Sequence, residues 1–409
     1  MQIKVLSLYA ITSIVLIEIA NTTSFTISYL LAAICVLMTM YYVITLKEIN
    51  FRVILLFGVW IVINVASSSY FGLSLKLGLT LRYALNLVLL TWFIVDIYGN
   101  KFLEVLEKII YYLTFISLPL YALNFLFKSE FDQLSSIFEG ITNPNLLANV
   151  NYWSGIVYVN AISQQYGSLE LLRNTGFMWE PGYFALIIVF ALGYRWLNYG
   201  IKFDKHFYVY FTAILTTFST AGYFALLVLI SAYFLKKSSI KNVLLVFGIS
   251  IIFFIYVYQL DFMRGKIDIY LTAIAANDFN YDVNYQSVKL NRIQIAIYDV
   301  YRVIRYPFGF GLNDRVSFDN IDVVGTNGLS GLLRMWGVVV FFYFMKLIYN
   351  YHNQQNKANL GWNSKMLIYL SLLLVFFSQS IQYNILTYLI ISSAIYNNSQ
   401  SRFWSWRKN

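Results

Sequence analysis

Apolar runs long enough to cross a hydrocarbon core about 30 Å thick recur along most of this chain, and they limit its fold to one that a bilayer can hold. They lie near residues 5 to 21, 25 to 46, 51 to 69, 75 to 98, 103 to 127, 182 to 199, 206 to 219, 221 to 236, 241 to 260, 328 to 350, 365 to 383 and 384 to 397. Inside a bilayer the backbone polar groups must be satisfied within the segment, so such runs are expected to be helices. Charged residues fill only 12% of the 409 positions, against about 25% in an ordinary soluble domain. The expected fold is an all-α polytopic membrane protein with about 12 transmembrane helices. Two segments depart from plain spans. TTFSTAG interrupts the stretch 206 to 236, which is too long for one span and short for two, and the last run is also brief; each reads as a re-entrant or broken helix.

The runs divide the chain into a five-span N-terminal bundle (1–127), a first loop (128–181), a central bundle (182–260), a second loop (261–327), and a C-terminal bundle with a basic tail (328–409). Lys4, Lys47, Arg52, Lys101, Lys202, Lys236, Lys357 and Arg402 fall on alternate loops. The positive-inside rule then puts both termini in the cytoplasm and both long loops on the outer face. That topology accounts for most of the net charge of +10; the cations form no basic domain, which argues against nucleic acid as a partner. Cys35 is the only cysteine, so no disulfide can form within the chain. The first run lacks a small-residue cleavage site and reads as an uncleaved span. No repeat of fixed period is visible, which weakens an inverted-repeat transporter reading.

The polar chemistry is concentrated in the outer loops and at their junctions. In RNTGFMWEPGY (173–183), Pro181 suits the first position of the following helix, which makes Glu180 its N-cap. The free N–H groups of such a helix end favour anions, and a turn through Gly176 can loop Arg173 back over the same opening. Two roles for Glu180 stay open: a capping glutamate that pairs with an arginine to order the loop, or an ionised carboxylate in a site. In LTTFSTAGY (215–223), Ser219 and Thr220 can hydrogen-bond a phosphate or a sugar, although hydroxyls at a break more often serve close helix packing.

LNRIQIAIYDVYRVI (290–304) has the pattern of an amphipathic helix on the membrane surface, or of a cap helix packed on the bundle. Arg292, Arg302 and Arg305 precede YPFGFG (306–311) and GTNGLSGLLRMWG (325–337). Arginine suits a diphosphate because its planar fork supplies two aligned donors and stays charged when desolvated. Arg302 and Arg305 are the two expected on a polar helix face touching lipid headgroups. Arg82 and Arg334 lie within or near apolar runs, where a charge costs about 2.5 to 3.5 kcal/mol at a helix centre, and so need partners; Glu18 is one candidate.

Several chemistries are missing. Both histidines, His206 and His352, map to the cytoplasmic side and leave no histidine base for an outer-face reaction. HExxH, a Walker loop, a nucleotide-binding glycine fingerprint and a DxD cluster are all absent from the sequence, so no nucleotide cofactor is expected. Energy for any reaction is expected to come from an activated lipid-linked substrate or a gradient.

Taken in order, RxxGxxxEPGYFA ahead of a span, TFSTAGY, an Arg292 helix ending in PFGFG, and Thr326-Asn327 before a glycine-ended apolar run resemble the O-antigen polymerase (Wzy) family over about residues 170 to 340. Related O-antigen ligases carry a His-Asn pair where this chain has Thr326 and Asn327, which favours the polymerase branch. The resemblance implies a GT-C-like glycosyltransferase at the outer face of the bacterial cytoplasmic membrane. Donor and acceptor would be glycan repeat units on undecaprenyl diphosphate, destined for O-antigen, capsule or exopolysaccharide. A chain-length regulator and a flippase are the implied protein partners.

On this reading a sugar hydroxyl attacks the anomeric carbon of the growing chain and undecaprenyl diphosphate leaves. Arg173 and Arg292 are expected to stabilise the leaving diphosphate, and Glu180 to take the proton, with Asp314, Asp319 and Asp322 competing for that role. Arg82, Arg305, Asn327, Arg334, Ser219 and Tyr183 are expected to bind substrate. No metal is required, because arginines replace a divalent cation at the diphosphate. A ligase-type glycan transferase and, with less support, a lipid-linked oligosaccharide flippase are the alternatives.

Overall fold

In the computed structural model, residues 2–21, 27–45, 47–143, 153–160, 162–166, 169–235, 248, 287–289, 292–313, 322–324 and 327–406 are described, and most of them are helical. Helices occupy all the apolar runs but that near 241 to 260, which lies, except for Gly248, outside the described residues. In chain order they are α1 Gln2–Ala20, α2 Ile27–Ile44, α3 Phe51–Tyr70, α4 Leu77–Tyr98, α5 Lys101–Leu126, two short loop helices α6 Lys128–Gln133 and α7 Ser135–Phe138, then α8 Pro181–Tyr199, α9 Lys205–Thr216 and α10 Thr220–Phe234. After these come α11 Arg292–Arg305, α12 Gly328–Gln355, α13 Trp362–Ser378 and α14 Ile385–Trp406. Among the described residues α3, α4, α5 and α12 are long and apolar enough to cross a membrane. The last apolar run, expected as a candidate broken helix, is the continuous α14.

Helix α8 is the axis of the bundle. Every residue from 181 to 194 is buried, as expected for a helix that is apolar on all sides. It packs against α5, α9, α10, α12 and α13. The outward faces of α2, α3 and α5 carry exposed Leu37, Met40, Leu55, Val62, Phe115 and Phe125, a surface suited to lipid rather than water.

Two breaks in the helices are built, not frayed. At TTFSTAG the stretch separates into α9 and α10, whose lengths of 12 and 15 residues give only about 18 and 22 Å at 1.5 Å per residue. Between them, Thr217 Oγ1 accepts from the Ser219 N–H (3.2 Å) and Ser219 Oγ caps α10 by accepting from the Gly222 N–H (3.3 Å). The second break corrects the expectation of a plain span over 328 to 350. Gly337 has φ 75° and ψ 173° inside α12, a conformation open to glycine and to few other residues. The PFGFG turn fills this gap: Phe310 N–H donates to Arg334 O (2.9 Å), Gly311 N–H to Met335 O (3.0 Å), and Val338 N–H to Pro307 O (3.0 Å). The freed backbone groups thus find partners, which a non-helical segment at membrane depth requires.

Two small sheets modify the all-helix expectation, and both lie in the long loops. Strand β1 Ile162–Tyr166 pairs antiparallel with β2 Leu169–Arg173, with Ile162 opposite Arg173, and β3 Ser287–Lys289 pairs parallel with β4 Asp322–Val324.

Helix α11 packs on α12. Its buried side holds Ile295, Tyr298, Asp299, Arg302 and Val303, whereas Ile297, Val300, Tyr301 and Ile304 are exposed. This overturns the expectation that Arg302 touches headgroups from a polar outer face. The residue is 3% exposed, and its guanidinium lies over the Phe310 ring at 4.5 Å. The buried side of α11 thus carries Asp299, which pairs with Arg334 of α12, and Arg302, while a largely apolar face is left outward.

Candidate active site

One cavity of about 480 Å³ gathers residues from both long loops and from the TTFSTAG break. Its polar wall is formed by Arg173, Glu180, Ser219, Thr220, Arg292 and Gln379. Phe224, Ile293, Leu374 and Phe377 form an apolar wall. Its volume falls in the usual range of small-molecule sites, about 300–1,000 Å³.

Local sequence explains how the charged groups reach it. Arg173 ends β2, and the Asn-Thr-Gly after it is pinned to the end of α9: Asn174 N–H donates to Thr216 O and Asn174 Nδ2 to Thr216 Oγ1, both at 2.9 Å. Asn174 Oδ1 accepts from the Gly176 N–H (2.8 Å) and closes the turn. Arg173 Nε donates to Thr217 O (3.1 Å), which ties the arginine to the break. Glu180 then stands in extended backbone before Pro181, as the N-cap of α8, yet its side chain makes no capping hydrogen bond. Its carboxylate instead faces Arg292, with Nη2 and Oε1 3.8 Å apart and each side chain about a third exposed.

Arg292 is the first residue of α11, and two anchors fix that helix end. Asn327 Nδ2 donates to the Arg292 carbonyl (3.2 Å) while its Oδ1 caps α12 at the Ser330 N–H (3.0 Å). One helical stretch further on, Asp299 accepts from Arg334 Nη1 (2.5 Å) and from Ser330 Oγ (2.6 Å). Helices α8, α10 and α11 all begin at the cavity wall. Their positive ends and two guanidinium groups, set against one carboxylate, make a site suited to an anion beside an apolar surface.

The other expected residues lie elsewhere. Arg334 is buried in its pair with Asp299 rather than on the cavity wall. Arg82 lies between the rings of Tyr29 and Tyr83, at 5.0 and 5.3 Å, and within electrostatic reach of Glu18. Arg305 is exposed over the Tyr301 ring at 4.3 Å. Tyr183 donates its hydroxyl to the Ser380 carbonyl and lies against Trp179, with ring centroids 5.2 Å apart. Asn327 acts as the helix cap described above. Asp314 and Asp319 are outside the described residues, and Asp322 lies in β4. Of the cavity residues, the sequence reading misses Gln379 and, besides it, Phe224, Ile293, Leu374, Phe377 and Ser378. A signal existed for the first: SQSIQYN (378–384) is a polar interruption between two apolar runs.

Both histidines sit at the opposite end of α8 from the cavity. Asp204 accepts from Arg195 Nη2 (2.8 Å) near the last turn of α8 and caps α9 just before His206. Burial raises the Asp204 carboxyl, but Arg195 and the Phe207 N–H outweigh it and hold the group below its ordinary value. His352 lies near the end of α12, six residues before Ala358, whose N–H donates to Leu197 O (3.0 Å).

Comparison with known proteins adds no relative to this geometry: no family model, no curated protein and no solved structure matches the chain.

Proposed function

We propose that this protein is a glycosyltransferase of the O-antigen polymerase type. It joins undecaprenyl-diphosphate-linked oligosaccharide repeat units en bloc at the outer face of the bacterial cytoplasmic membrane, with about 12 spans in a GT-C-like arrangement. The observation that carries this reading is the meeting of Arg173, Glu180 and Arg292 in one cavity whose other wall is apolar. A polyprenyl diphosphate has the matching parts, an anionic head and a hydrocarbon tail.

In the reaction, a hydroxyl oxygen of one repeat unit bonds to the anomeric carbon of the growing chain. The bond from that carbon to the diphosphate oxygen breaks, and undecaprenyl diphosphate leaves with the electron pair. Arg173 and Arg292 neutralise the charge that develops on the departing oxygen. Glu180 accepts the hydroxyl proton and returns it to water. No metal takes part, because the two guanidinium groups fill that electrostatic role.

The test is a gel assay of the purified protein with a synthetic undecaprenyl-diphosphate repeat unit. Wild type is expected to give a ladder of multiples. Arg173→Ala and Arg292→Ala are each expected to lose about 10²–10³ in rate, as removal of one charge-stabilising group does, and Glu180→Gln about 10²–10⁴, as loss of a general base does. A ladder formed at wild-type rate by all three variants would refute this assignment.

A further inference from the structure

Gln379 stands in the cavity wall with Arg173, Glu180 and Arg292 but has no part in the charge chemistry. It follows the last residue of α13, in the break before α14, and is 3% exposed. Two glycines on two other helices hold it in place. A Cβ on Gly182, in the first turn of α8, would lie 1.9 Å from Gln379 Nε2. A Cβ on Gly328, at the start of α12, would lie 1.9 Å from the Gln379 carbonyl oxygen and 2.0 Å from that of Phe376. Side chain and backbone are therefore both seated against bare backbone, and the amide lies over the helix end that presents Glu180.

A primary amide offers two donor hydrogens and a carbonyl with two lone pairs. Among the described residues the Gln379 side chain makes one hydrogen bond, a long one of 3.5 Å from Nε2 to Ser378 Oγ. A nearly buried amide beside a cavity, with one long hydrogen bond for its whole capacity, is costly unless a ligand completes it. The arginines already answer the anionic part of a ligand. A neutral group that both donates and accepts fits sugar hydroxyls.

We infer that Gln379 is a sugar-binding residue, which holds a hydroxyl of the acceptor glycan beside Glu180. This rests on the polymerase reading for the name of the reaction, but the binding claim can be tested without turnover. Full-length protein in detergent is titrated with two separate probes: the oligosaccharide released from the producing cell's own polysaccharide, and farnesyl diphosphate. Gln379→Met, similar in volume and unable to hydrogen-bond, is expected to weaken oligosaccharide binding at least tenfold and leave farnesyl diphosphate binding within twofold of wild type. Gly182→Ala, which drives the amide from its seat, is expected to give the same split. Arg292→Ala is expected to give the reverse one. Unchanged oligosaccharide affinity in Gln379→Met, an equal loss for both probes, or a wild type that binds no oligosaccharide would each overturn the inference. Wild-type protein that binds oligosaccharide but not farnesyl diphosphate would refute the polymerase reading, while the Gln379→Met comparison still decides the role of the amide.

Discussion

Arg334 shows what a buried charge does when it is not at the site. With Arg334 8% and Asp299 0% exposed at the side chain, each is tolerable only because the other is there. Removing one partner of such a pair typically costs about 3–5 kcal/mol, whereas replacing both by apolar groups is often neutral. Arg334→Ala is therefore expected to lower the unfolding midpoint sharply, and the double replacement Asp299→Leu with Arg334→Met to recover most of it. The check is thermal unfolding of the detergent-solubilised variants; a single variant as stable as wild type would show that the pair carries no such role. Legibility at this scale was uneven. The cations Arg173 and Arg292 and the carboxylate Glu180 stood out because charge next to apolar runs is rare, and the structure gathers all three. The partner of Arg334 could not be read, because Asp299 sits on an amphipathic stretch whose buried side is decided only when α11 docks on α12.

The elements that shape the cavity are the interrupted ones. Gly337 and the PFGFG turn cross at a distance that allows no side chain: a Cβ on Gly337 would lie 2.4 Å from the Pro307 carbonyl oxygen, and its φ of +75° is strained for other residues. Gly337→Ala is expected to cost at least the roughly 1–3 kcal/mol of a forced backbone conformation. Because the turn connects to the C-terminal end of α11, loss of Arg292 positioning should accompany it. Thermal unfolding together with ladder formation measures both, and unchanged values would mean the break is not needed. TTFSTAG announced its break through hydroxyls and a glycine within an apolar run. The break at Gly337 was signalled less: a glycine ends the run of the motif there, but GLLRMWGVVV carries a helix-like apolar pattern straight across it. Its cause is a contact with a turn far from it along the chain.

Across the whole molecule the polarity is separated by end. One end of α8 holds the arginine cavity; the other holds Arg195, Asp204, Glu107 and both histidines, with Glu107 accepting from the Tyr210 hydroxyl at 3.1 Å. Apolar side chains cover the outer faces of the helices between these ends. Helix content and most helix positions were legible in the apolar runs, because a bilayer leaves a chain few other options. The cavity was legible only as scattered motifs, since its walls come from the ends of five elements that no periodicity links. Bond formation, not lipid movement, is the proposed work of that cavity. The most direct measurement reconstitutes wild-type protein in vesicles with a labelled undecaprenyl-diphosphate repeat unit, and follows glycan length, released undecaprenyl diphosphate and the side of the membrane on which the label lies. The expected result is a ladder in which each added unit is matched by one released undecaprenyl diphosphate, with no label crossing. Label that crosses the bilayer without any ladder or released lipid would contradict the account and mark the protein as a transporter.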